Sequence, residues 1–68
     1  MKPGIVRPGE ETDELLQWLR DHDFDPSDVY QVDITEDTVT VHRYERVQGK
    51  TVKRKGVPAV LAPVKVNR

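Results

Sequence analysis

Two periods of apolar residues divide the chain. Leu15, Leu16 and Leu19 fall at i, i+1 and i+4, with Trp18 on their flank, which is the spacing of a narrow apolar stripe on an α-helix. From Tyr30 the period changes to two. Val32 and Ile34 alternate with Gln31, Asp33 and Thr35, as in a strand with one buried face. Thr38–Val47 (TVTVHRYERV) is rich in β-branched residues; Val39 and Val41 point one way and Thr38, Thr40 and His42 the other. Beyond His42 the alternation blurs, because Arg43 and Glu45 fall on the valine face and Tyr44 opposite. The strand either leaves the core there or carries a bulge that resets its facing. The pattern predicts a single α+β domain over 1–68, with a helix at 10–22 packed on a small antiparallel β-meander at 30–66. Its order is αβββ, or αββ with an extended C-terminal tail.

Turn chemistry fills the gaps. Pro-Gly at 3–4 and again at 8–9 predicts an extended arm over 1–9, with Ile5 and Val6 lying against the core. Glu10, Glu11, Asp13 and Glu14 crowd the front of the helix, where its dipole favours carboxylates, and Thr12 is the N-cap if the helix starts late. The stretch DHDFDPSD (21–28) holds Asp21, Asp23 and Asp25 at the first three ligand spacings of a calcium loop. The match fails at the sixth position, where Pro26 replaces the required glycine, and at the twelfth, where Val32 replaces a bidentate glutamate. A turn explains more. His22 suits the negative helix end, Phe24 returns to the core, and Asp25 caps a short helical turn with Pro26 at its first position and Asp28 three residues on. Asp21 and Asp23 then call for basic side chains from the second half of the chain. Thr35-Glu36-Asp37 and Gln48-Gly49-Lys50 read as further turns. Thr51–Lys55 is expected to pair with the preceding strand, Gly56-Val57-Pro58 to interrupt it, and Ala59–Val66 to form a last strand. With Pro58 and Pro63 unable to donate, any strand there is an edge strand or broken.

The segment DPSDVYQVDITEDTVTVHRYERVQGK, behind a short acidic-fronted helix, resembles small proteins encoded by phages of actinobacteria. In those, a helix ending in a D-P turn is followed by a V-x-I, D-x-V-T-V hairpin. The likeness covers roughly residues 10–50 and rests on pattern. It implies an accessory role in a bacterial host cell and brings no site residues with it.

Composition narrows the function. A chain of 68 residues with 35% apolar and 34% charged residues buries about 60% of its unfolded surface, so a binding partner or a second copy is an ordinary expectation. The absence of cysteine excludes disulfides, thiolate zinc sites and a cysteine nucleophile, and fits a reducing cytoplasm. MKPGIVRPGEE has no apolar run of the signal-peptide kind. The longest apolar stretch, VPAVLAPV (57–64), is twice broken by proline and far below the ~20 residues that span a bilayer. A cytoplasmic location without membrane association is therefore expected. The only serine is Ser27, the two histidines lie on different elements, and no glycine-rich phosphate loop occurs. Nothing supports a nucleophile with its base, so the chain reads as non-enzymatic, with no cofactor, metal or small-molecule substrate.

Charge carries the strongest functional signal. Residues 1–37 hold eleven acids and three bases, a net of −8, and residues 38–68 hold one acid and eight bases, a net of +7. Such polarity favours complementary docking, with another protein or between identical copies. Strand addition at an exposed edge or the VPAVLAPV segment would supply the apolar part of that contact. Protein–protein contact, with a homodimer as one form, is the first functional expectation, and Trp18 is either core edge or a partner anchor. The alternative is nucleic-acid binding through the basic hairpin Lys50–Lys55. There Arg43, Arg46, Lys50, Lys53, Arg54 and Lys55 would meet phosphates, and Tyr44 would stack on a base.

Overall fold

The computed structural model describes the whole chain, Met1–Arg68. Its main sheet has four antiparallel strands in the order β1-β2-β3-β8: β1 Gly4–Val6, β2 Val29–Ile34, β3 Thr38–Arg43 and β8 Val64–Asn67. One helix, α1 (Asp13–Asp21), crosses one face, and a 3₁₀ turn (Pro26–Asp28) leads into β2. The predicted α+β class and N-terminal helix on an antiparallel sheet hold. No helix is long and apolar enough to cross a membrane.

Six residues form the core: Leu15 and Leu19 of α1 against Val32 and Ile34 of β2 and Val39 and Val41 of β3, each 5% exposed or less. Removing each such side chain from water contributes about 1.5–3 kcal/mol. Leu16 sits only half-buried, so the working stripe is Leu15, Trp18 and Leu19. Trp18 lies at the core edge, packed on the cluster and stacked on His22 (centroids 4.0 Å apart).

The helix is shorter than its acidic front suggests. The Glu10 carboxylate accepts from the Arg7 amide and that of Glu11 from the Gly9 amide, so both are spent on a turn. Thr12 is the N-cap, its hydroxyl accepting from Leu15 N–H. At the other end His22 is the C-cap and Asp23 takes a left-handed φ of 63°. Phe24 N–H reaches Leu19 O at 2.9 Å and Asp23 N–H reaches Arg20 O at 3.1 Å. These two bonds make a Schellman motif, with Phe24 dropping back onto the core. Asp21 accepts from Gln17 (2.8 Å). Neither Asp21 nor Asp23 is in an ion pair, contrary to the expectation that basic side chains would approach them; Asp23 takes the left-handed position of the helix C-terminal turn. Asp25 and Pro26 cap and open the 3₁₀ turn as read from the sequence.

The arm over 1–9 is partly a strand. Gly4, Ile5 and Val6 register with Ile34, Asp33 and Val32. Period two then turns Val6 toward the core while Ile5 stays 56% exposed; only one of the pair lies against the core.

The C-terminal half departs most from expectation. Of Thr51–Lys55 only Thr51 pairs with the predicted preceding strand, at Arg46, around the predicted turn at Gln48-Gly49; Lys53 and Arg54 do not. Here β4 (Arg46–Val47) pairs with β5 (Lys50–Thr51), and β6 (Lys53–Arg54) with β7 (Val57–Pro58), as two successive small hairpins. The last strand begins at Val64, directly after Pro63, rather than at Ala59, and lies at the sheet edge.

Two measurements check this account. Asp23→Gly relieves the left-handed strain and should raise stability by up to about 1 kcal/mol, seen as a higher Tm. Leu19→Ala should cost about 2–5 kcal/mol. Against a total of about 3–5 kcal/mol for a domain this small, that variant should have lost most of its folded circular-dichroism signal at 25 °C.

Candidate functional site

The two hairpins form a lobe whose turns explain its existence. Gln48 (φ 51°) and Gly49 (φ 78°) close the first, and Lys55 (φ 54°) and Gly56 (φ 77°) the second. Positive φ at both central residues is the signature of type I′ turns, whose twist suits two-residue hairpins. Each hairpin starts and ends at a common junction. Glu45 N–H donates to Ala59 O (2.9 Å), Val52 N–H to Glu45 O (2.8 Å) and Ala59 N–H to Val52 O (2.8 Å). The three residues stand seven apart, and their bonds close a ring from which both hairpins project. Below the ring, the pairing of Tyr44 with Val60 and the bond from Leu61 N–H to Arg43 O continue the main sheet.

No residue from 45 to 60 is buried; backbone hydrogen bonds and turn geometry hold the lobe. The radius of gyration is 12.2 Å, above the roughly 11 Å expected of a compact chain this long, which fits a projecting lobe.

This geometry gathers Arg46, Lys50, Lys53, Arg54 and Lys55, with no acid between 46 and 58. Arg46 is anchored to the body, donating to Asp28 at 2.6 Å and to the Gly49 carbonyl at 2.9 Å. Arg54 lies 3.6 Å from Glu45 with its own side chain 73% exposed. Lys50, Lys53 and Lys55 form no ion pair. Eight of the twelve acids likewise have no ion-pair partner. They lie on the helix, its flanking turns and the β2–β3 turn, so the charge asymmetry of the sequence survives folding.

Two predicted contact residues behave differently from the lysines. Arg43 does not join the cations. It lies on the valine face, its guanidinium 5.4 Å from the centre of the Phe24 ring and its Nε buried without a hydrogen-bond partner. Tyr44 turns to the opposite face and meets Tyr30, with ring centroids 4.8 Å apart. The bulge that permits this lies in β2, between Val29 and Gln31. Strict alternation would send Tyr30 inward beside Val32 and Ile34. The extra residue instead leaves Val29 packed on the core and places Tyr30 against Tyr44 and His42. Tyr30 and His42 were not singled out from the sequence; the aromatic spacing at 42 and 44 was the available signal.

On the same face the Asp33 carboxylate accepts from Gln31 Nε2 (2.8 Å) and His42 Nε2 (3.0 Å). Those two donors, Gln31 first, hold its pKa below the usual carboxylate value. The Ser27 hydroxyl and amide do the same for Asp25. No group of three or more His, Asp or Glu side chains converges as a metal site. The largest concavity, about 530 Å³, lies between β1 and the start of α1, near Val6, Glu14, Leu15 and Ile34, away from the cations. No known family model matches the chain, and neither curated proteins nor solved structures give a significant match.

Asp33 gives a signed pH prediction. A depressed folded pKa contributes stability that is present above the unfolded value, about 3.9, and is lost as pH falls through the lower folded value. Asp33→Asn should therefore lower Tm at pH 7, with the gap to wild type closing below about pH 4. A gap that stays constant from pH 7 to pH 2 would contradict the hydrogen-bond account.

Proposed function

We propose that the chain is a non-enzymatic accessory protein that binds nucleic acid through the hairpin lobe. The observation that carries this reading is the junction of Glu45, Val52 and Ala59, which brings five cations together over an acid-free stretch beside the Tyr30–Tyr44 pair. Lysine and arginine on short rigid hairpins suit phosphate contacts, which depend on charge and release counterions, so affinity falls with salt. The acids that would oppose a polyanion lie mainly on the helix and its flanking turns. The two nearest the lobe, Asp28 and Glu45, are each beside an arginine.

Protein docking is the second reading. The unpaired acids of the helix side and the exposed Val47, Val57 and Val60 favour it, since apolar anchors inside a charged rim are the anatomy of a protein interface. Either role is compatible with a phage accessory protein acting on host machinery.

Fluorescence anisotropy with labelled oligonucleotides separates the two readings. At low salt the protein should bind, with affinity falling steeply as salt rises. Lys53→Glu/Arg54→Glu should weaken binding by at least about tenfold, with the fold intact by circular dichroism. No binding at low salt would remove the nucleic-acid reading and leave protein docking.

A further inference from the structure

We infer that the open face of the main sheet, at its Tyr30–His42–Tyr44 end, is a stacking platform for unpaired bases, making the nucleic acid single-stranded. This inference rests on the lobe reading above and specifies its ligand. The helix covers only the face carrying Val32, Ile34, Val39 and Val41. Alternation puts Gln31, Asp33, Thr40, His42 and Tyr44 on the other face, where each is partly exposed, the His42 side chain 18% so. The β2 bulge adds Tyr30, so three rings run together, Tyr30 lying 5.8 Å from His42 and 4.8 Å from Tyr44.

These rings are fixed from several sides. Tyr44 N–H is bonded to Asp28 O at 2.9 Å, its backbone bridges Val60, and the His42 ring is held by Asp33. A rigid aromatic surface loses little side-chain freedom when a base stacks on it, and such stacking is tolerant of sequence because every base has a π-face.

Placement completes the case. Tyr44 stands next to Glu45, where the lobe begins, so the rings adjoin the cations in the chain and in space. A strand whose phosphates follow Lys50, Lys53, Arg54 and Lys55 would bring its bases to the tyrosines. The one carboxylate on this face, Asp33, touches the platform at its His42 end, 3.0 Å from Nε2, and pairs in register with Thr40, four residues along β3 from Tyr44. Its oxygens already accept from Gln31 and His42. Duplex bases, already stacked and paired, cannot use the platform; a duplex would meet the lobe through phosphates alone.

The test compares four probes of equal length at one low salt concentration: a single-stranded DNA, a single-stranded RNA, the corresponding DNA duplex, and an abasic strand carrying the same phosphates. The single strands should bind at least about fivefold more tightly than the abasic strand. Tyr44→Leu should weaken single-strand binding by about 5- to 100-fold while leaving abasic and duplex binding unchanged, and Tyr44→Phe, which keeps the ring, should restore it. Tm values for both variants control for folding, and Tyr30→Leu provides a second ring deletion if Tyr44→Leu unfolds. Equal binding of the abasic strand, or single-strand binding indifferent to loss of either ring, would overturn the platform. Loss of that binding in Lys53→Glu/Arg54→Glu would meanwhile leave the lobe reading standing. No binding of any probe would overturn both.

Discussion

Everything in this molecule depends on one small contact: two leucines of a nine-residue helix closing over four β-branched residues of two adjacent strands. That contact holds all six buried side chains, and it faces one way. A single short helix, about 13 Å long, covers the centre of one sheet face and nothing more. The opposite face, both sheet edges and the whole of residues 45–60 lie outside it. Where side-chain burial is missing, the chain relies on backbone devices: the Schellman turn at Asp23, the β2 bulge at Tyr30, two type I′ turns and the ring of bonds at Glu45, Val52 and Ala59.

The parts governed by burial were the legible ones. Leu15 and Leu19, Val32 and Ile34, and Val39 and Val41 announce their elements because a period of 3.6 or 2 only makes sense against a core. Thr12 and Asp25 were legible as caps for the same kind of reason, each having a defined set of amides to satisfy. The arm was harder. Gly4–Val6 has too few residues to display a period, and its partner, β2, lies 26 or more residues away.

Of the lobe only the first turn, at Gln48-Gly49, was legible; the second hairpin and the junction escaped because the strands are two residues long and bury nothing. Its trace in the sequence is faint: Gln-Gly at 48–49 repeated seven residues later as Lys-Gly at 55–56, neither as strong a turn signal as Asn-Gly. The charge run was visible, but not which members would be free. Arg43 went to the Phe24 face and Arg46 to Asp28, leaving mainly lysines outward. The facing of Tyr30 was not legible for a physical reason: a one-residue bulge inverts facing, and sequence period alone does not locate bulges.

Structure and charge together describe a division of labour, with an acidic helix side that builds the core and a cationic, coreless lobe with aromatic rings at its root that is free to meet a partner. Residue-resolved NMR of the ¹⁵N-labelled protein titrated with a short single-stranded oligonucleotide tests this most directly. The account predicts shift changes at Tyr30, His42, Tyr44 and residues 46–58, with α1 and the turn at 21–25 unmoved. Changes centred on the helix, or none at all at a ligand excess in low salt, would contradict it.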